Sequence, residues 1–288
     1  MEGNEEKVKV QQIDIDQVFR NKNPKLYQLI PRFVIRYLKR ILHQDEINKF
    51  LEKSGHLQGL ELINEALKFL NTKYKVFGLE NIPREGRFIF VSNHPLGGLD
   101  GLVFMKEVGK IFPDLKFPVN DLLLNLGNLE SIFLPINKHG VQAREAVRLI
   151  KDAYASDCQI LHFPAGLCSR KISGTIKDID WKKHFISKAI EHKRDIIPVH
   201  FSGRNSNFFY NLANLRTFLG IKSNIEMIYL PDEMFKQKDK EIIVKFGKSI
   251  SFKEFDQVLN HRQWADRVKQ LVYALGKDEI IPLKPQNG

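Results

Sequence analysis

A chain of 288 residues, 43% hydrophobic and 27% charged, is long enough to bury a large core without a disulfide or metal staple. Its two cysteines, Cys158 and Cys168, exclude a disulfide framework and a zinc pairing, and suit a reducing compartment. A net charge of +11 predicts an anionic partner, but no zinc finger, recognition helix or RNA-binding aromatic pattern is present, so nucleic acid is not expected.

The first residues, MEGNEEKVKVQQIDIDQ, are polar and lack the apolar core of a secretory signal; the first twenty or so read as frayed. No stretch reaches the roughly 20 apolar residues of a spanning helix. LVFM at 102–105, DLLLNL at 121–126 and SIFLPI at 131–136 are all too short. A helix is predicted from Pro31. Phe33, Val34, Tyr37, Leu38, Ile41 and Leu42 recur at helical spacing, while Arg32, Arg36, Lys39, Arg40 and His43 fill the other face. Such a helix either lies on an anionic membrane or packs on a core with a solvated basic face. Two more helices are predicted near 46–54 and 58–71.

From Lys73 the pattern changes. YKVFGL at 74–79 and RFIFVSN at 87–93 read as strands, and LDGLVFMKEVG at 99–109 as a helix. KFPVN at 116–120 is strand-like, DLLLNLG at 121–127 helical, and SIFLPIN at 131–137 a strand. VQAREAVRLIKDAYAS at 141–156 is an amphipathic helix, CQILHF at 158–163 a buried strand, DWKKHFISKAIEHK at 180–193 a helix and DIIPVHF at 195–201 a strand. IEMIYL at 225–230 and EIIVKFG at 241–247 read as later strands, with a closing helix over 252–275. The alternation predicts an α/β fold, with a mostly parallel central sheet flanked by helices and an N-terminal helical extension. Residues 1–72 are expected to form that extension, a membrane-docking segment, and 73–288 the α/β domain.

The segment VSNHPLGGLDGL at 91–102 carries the clearest chemistry. It joins a strand to a helix, where functional groups of open α/β sheets gather. Asn93 and His94 sit at that switch. Gly97 and Gly98 let the backbone turn tightly enough to return Asp100 towards His94. A histidine can take a proton from a hydroxyl, and a carboxylate on its other nitrogen would orient it. The bland alternative is a strand-to-helix turn with Asp100 as a cap and His94 as a bystander.

Further segments extend the pattern. VSNHPLGGLD, SIFLPINK at 131–138, HFPAGLCSR at 162–170 and IIPVHFSG at 196–203 together resemble the four ordered blocks of the glycerophospholipid acyltransferases, the lysophosphatidic acid acyltransferase superfamily. The resemblance covers about residues 74–250. It is nearest to the bacterial, hemolysin-like branch that O-acylates lyso-aminolipids such as ornithine or glycine lipids. Two departures stand out: five residues rather than four separate His94 from Asp100, and Ala165 stands where a Glu is usual.

The resemblance implies direct acyl transfer from a thioester, acyl carrier protein or coenzyme A, to a lyso-lipid hydroxyl, with His94 and Asp100 catalytic and no bound cofactor. It makes Asn93, Gly166, Ser169 and Arg170 substrate-binding candidates, with Lys138 and Arg204 weaker; Arg170 is otherwise a surface arginine. Lysophosphatidic acid is the alternative acceptor. Nothing marks a covalent nucleophile, and Cys168 reads as a small buried residue. LVFM, DLLLNLGNL and SNFFYNLANL read as core before acyl channel. His139, His162, His192 and His200 lack metal-ligand spacing, so no metal is expected. With neither export signal nor spanning helix, the expected location is the cytoplasm, on the inner face of the cell membrane. The competing reading is a non-catalytic basic protein that binds membrane or nucleic acid.

Overall fold

The run Phe88-Ile-Phe-Val-Ser is apolar on both faces, as a strand covered from both sides must be, and all five residues are buried. In the computed structural model, which describes residues 12–22, 24–119, 127–136 and 141–284, it forms the middle of a seven-stranded sheet. Five helices come first: α1 (Ile15–Lys22), α2 (Pro24–Leu29), α3 (Arg32–Ile41), α4 (Gln44–Ser54) and α5 (Gly59–Phe69). Then follow β1 (Lys73–Phe77), β2 (Phe88–Ser92), α6 (Leu99–Gly109), β3 (Leu115–Val119), β4 (Phe133–Pro135), α7 (Val141–Ala155) and β5 (Gln159–His162). A hairpin, β6 (Arg170–Ile172) and β7 (Thr175–Lys177), precedes α8 (His184–His192), β8 (Asp195–Phe201), α9 (Asn207–Phe218), α10 (Leu230–Phe235), β9 (Glu241–Phe246) and α11 (His261–Gly276).

The sheet order is β1-β9-β8-β2-β5-β3-β4, and every pairing but β8 with β9 is parallel. This is the mostly parallel α/β sheet expected. The strand period of two divides the core. Phe88 and Phe90 point to one side, with Ile63 and Leu67 of α5 and Val103 and Phe104 of α6. Ile89 and Val91 point to the other, with Phe185 of α8 and Trp264 and Val268 of α11. Arg194, fully buried, donates to the carbonyls of Ala153, Tyr154 and Cys158 at 3.1, 2.8 and 2.7 Å. It thus satisfies acceptors that the end of α7 leaves open, in place of a carboxylate partner.

Three local expectations need correction, and one hairpin is new. Residues 15–22 are helical rather than frayed, and Asn48 of α4 clamps the chain just before them through both polar atoms of Ile13, at 2.8 and 2.9 Å. Ile225–Tyr229 is a 3-10 turn, not a strand: Pro231 opens α10 immediately after it, and Glu226 is drawn inward by two arginines. The β6–β7 hairpin was not foreseen; Ser173 and Gly174, both at positive φ, make its two-residue turn. The closing segment is a short 3-10 turn at Phe252–Glu254 and then α11, which Asn260 and Gln263 start with a capping box. The helix expected over 121–127 falls, but for Gly127, outside the described residues.

Candidate active site

β2 ends on a loop that β8 holds from below. The Asn93 amide donates to the Phe201 carbonyl and accepts from the Phe201 N–H, both at 2.8 Å, so a side chain continues the pairing of the two strands. His94 follows. Its Nδ1 lies 3.0 Å from Asp100 Oδ2, and Asp100 is fully buried. The same Oδ2 accepts from the Leu96 N–H and Oδ1 from the Gly101 N–H, each at 2.9 Å. The carboxylate sits in the first turn of α6, and these two backbone donors fix its position beside the imidazole. The five-residue spacing therefore closes the pair. It closes because Gly97 takes φ +79°, and because a Cβ there would stand 2.6 Å from Leu230. Asp100 is not the cap of the bland alternative: Gly98 is the N-cap, without a side-chain cap bond, and Asp100 lies inside the first turn with its carboxylate on His94.

With Nδ1 taken, Nε2 of His94 has no protein partner among the described residues. The ring is stacked on Phe163, centroids 3.9 Å apart and planes 17° apart, and its side chain keeps 15% exposure. One buried carboxylate governs the backbone behind it. Asp178 Oδ1 accepts from the His94 N–H at 3.2 Å and from the Ser169 hydroxyl at 2.6 Å, and Oδ2 accepts from Trp181 Nε1 at 2.9 Å. The Ser169 N–H in turn donates to the His94 carbonyl at 2.7 Å. Burial pushes the Asp178 carboxyl up, and these three donors oppose the shift.

The arrangement is a histidine with one nitrogen fixed by a buried carboxylate and the other without a partner among the described residues, on a loop held by Asn93 and Asp178. It can accept a proton from a hydroxyl and return it to a leaving group. Cys168 does not compete as a nucleophile: it is fully buried, and burial pushes its thiol up to about 11.

The family model described as acyltransferase matches residues 17–279 of this chain. The chain belongs to that acyltransferase family. The enzyme is 50% identical over 264 residues to the lyso-glycine lipid O-acyltransferase of Bacteroides thetaiotaomicron, covering 91% of this chain and 97% of the relative. It is 48% identical over 264 residues to the protein of the same name from Phocaeicola vulgatus, covering 91% and 95%. Among solved structures it is similar to the 1-acyl-sn-glycerophosphate acyltransferase PlsC of Thermotoga maritima, at 19% identity and a TM-score of 0.48, covering 88% of this chain and 85% of that one. Family membership replaces the reading of a non-catalytic basic binder.

Within the acyltransferase the remaining predicted residues fall unevenly around His94. Gly166, at φ +70°, turns the loop whose Phe163 covers the imidazole; the Gly166 N–H donates to the Phe163 carbonyl at 3.0 Å. Arg170 is not the loop cation expected. It is buried on β6, pairs with Glu226 at 2.8 Å and donates to the Cys168 carbonyl at 2.8 Å. A guanidinium so engaged has a fixed anionic partner already. The Ser169 hydroxyl and the Asn93 amide are likewise engaged by the protein itself. Arg204 is exposed, beside the Tyr210 ring and Asn207, and follows Gly203, where a Cβ would meet Leu96 of the His94 loop at 3.1 Å. Lys138 lies outside the described residues. Ala165 is buried with Trp181 and Phe185, so an acidic side chain there would enter an apolar cluster. Among the described residues no group of three His, Cys, Asp or Glu is placed to hold a metal ion.

Two residues escaped the sequence reading. Asp178 carries no motif signal, because its partners lie 3, 9 and 84 positions away. Lys182, exposed, places Nζ 3.3 Å from where a Cβ of Gly166 would stand, a cation at the turn next to Phe163. A Gly with a Lys 16 residues on, Gly166 and Lys182, has no periodicity to betray it.

Proposed function

We propose that this acyltransferase moves a fatty acyl chain from an acyl thioester to the hydroxyl of lyso-glycine lipid, with His94 as general base. The observation that carries the chemistry is the His94–Asp100 pair at 3.0 Å, with Nε2 unpartnered among the described residues. The observation that supports the acceptor is 50% identity over 91% of the chain to a lyso-glycine lipid O-acyltransferase.

In the proposed reaction, Nε2 takes the acceptor's hydroxyl proton as the oxygen attacks the thioester carbonyl. The tetrahedral intermediate collapses, the C–S bond breaks, and the imidazolium returns the proton to the departing thiolate. Asp100 keeps the tautomer with Nδ1–H towards it and stabilises the transient charge. No covalent acyl-enzyme forms. Lys182, at the Gly166 turn, and Arg204, following Gly203, are the exposed cations proposed to meet an anionic headgroup. The thioester carrier is acyl carrier protein or coenzyme A, either of which suits a chain of net charge +11.

No helix among the described residues is long and apolar enough to cross a membrane. The enzyme is therefore proposed to work as a peripheral protein on the anionic inner face of the cell membrane. The exposed Arg32, Arg36 and Arg40 of α3, beside an exposed Phe33, support this.

An acceptor panel tests the reading. Purified protein is given labelled acyl thioesters on both carriers with lyso-glycine lipid, lyso-ornithine lipid or lysophosphatidic acid. Product on lyso-glycine lipid is expected. Product on lysophosphatidic acid alone would overturn the acceptor assignment.

A further inference from the structure

α9 has two faces of opposite use. Ser206 caps it, and Phe209, Tyr210 and Ala213 are buried on its inner side. The other side carries Phe208, Leu215, Phe218 and Leu219, spaced for one helical stripe, and these are 49, 53, 86 and 60% exposed. The 3-10 turn that follows adds Ile225 and Ile228, which eclipse each other at three residues per turn and are also exposed.

Arg216 joins the two pieces. It donates to the Ile221 carbonyl at 2.8 Å and pairs with Glu226 at 2.9 Å. At the other end, the Phe208 and Tyr229 rings meet edge-on at 4.9 Å, and Tyr229 Oη lies 2.9 Å from Tyr37 Oη of α3. The stripe therefore runs on to Phe33, itself 67% exposed. Apolar side chains of this size in one continuous exposed band mark an interaction surface.

Its charge selects the partner. Neither α3, α9 nor the chain between α9 and Glu226 contains an acidic residue. Glu226 is buried between Arg170 and Arg216. The exposed charges on α3 and after α9 are Arg32, Arg36, Arg40 and Lys222, while Asp232, near Tyr229, is paired with Lys236 at 2.6 Å and with His43 at 3.1 Å. A second copy of the chain would bring these cations face to face. Phosphate headgroups neutralise them while the Phe, Leu and Ile side chains enter the acyl boundary.

We propose that the exposed face of α9 and its 3-10 turn, continuous with α3, seats the enzyme on an anionic lipid bilayer. The same segment touches the site. Leu230, the residue after the turn, packs against Gly97 of the His94 loop, and Met234 of α10 against Gly98. The bilayer then lies beside the mouth of the site, and an amphipathic acceptor reaches His94 without leaving the lipid. This delivery role rests on the acyl-transfer reading; the docking itself does not.

The test is co-sedimentation of the full chain with phosphatidylcholine vesicles carrying roughly a third of phosphatidylglycerol. Wild type is compared with the double variant Phe218→Ser, Leu219→Ser. Both positions are exposed, so the fold should persist, and a thermal melt checks it. Each side chain removed from the acyl boundary is expected to cost about tenfold in vesicle affinity, about a hundredfold together. Acyl transfer to detergent-dispersed acceptor, run in parallel, should stay within about twofold of wild type on the same reasoning. A wild type indifferent to the vesicles, or a double variant that binds them equally well, overturns the docking. So does a wild-type dimer that the double variant dissolves, which would assign the band to a second copy. Vesicle binding without acyl transfer in the wild type upholds the docking and removes the delivery role together with the functional reading.

Discussion

Phe163 lies flat on the imidazole of His94, ring centroids 3.9 Å apart, while Asp100 holds the same ring by its edge at Nδ1. One contact sets the plane of the base and the other its tautomer. Phe163→Ala removes the first and leaves the second. Misplacing a base by a fraction of an ångström lowers the chemical step, so kcat is expected to fall about ten- to hundredfold, with KM for the thioester little changed. Steady-state kinetics with varied donor checks the split.

Asp178 acts one step further back. It touches no reacting atom, but it receives the His94 N–H, the Ser169 hydroxyl and Trp181 Nε1 in a buried pocket. In Asp178→Asn an amide NH2 must face at least one of these donors. Leaving a buried donor unsatisfied costs about 1 to 3 kcal/mol, and denaturant unfolding should show that loss. If Asp178 also positions the loop, kcat falls beyond what the folded fraction explains. A folded variant with unchanged kcat would limit Asp178 to stability.

Acid should weaken the fold through two histidines outside the site. Burial pushes His162 down to about 4, helped by His184 and Lys182, and pushes His200 down to about 4, helped by Lys245. Between about pH 4 and 6.5 the unfolded chain binds protons at these rings that the folded chain refuses. Stability therefore rises with pH across that window, is complete above it and is lost towards its lower end. Thermal melts from pH 4 to 7 should show this slope, and His200→Gln should flatten part of it.

The central strands were legible because their pattern is local. DIIPVHF is a run of apolar residues too short for a helix, and β8 occupies those seven residues. The His94 loop was legible for a related reason: strand, histidine, glycines and aspartate all lie within twelve residues. Two misreadings came from distant partners. Arg170 read as an exposed anion binder because Glu226, its partner, is 56 positions away. Ile225–Tyr229 read as a strand because four apolar residues around one Glu look like an edge; the inward pull on Glu226 comes from β6 and α9. The β6–β7 hairpin had a signal in Ser173-Gly174, flanked by Lys-Ile and Thr-Ile, that turn chemistry alone could have raised.

The most direct test of the account is acyl transfer from a labelled thioester to lyso-glycine lipid by purified wild-type protein and by His94→Ala. With the proton acceptor gone and the fold unchanged by thermal melt, the rate is expected to drop by roughly 10²- to 10⁴-fold, the usual contribution of a positioned base. A folded His94→Ala protein that transfers the acyl chain at the wild-type rate would contradict the assignment of His94 as the base.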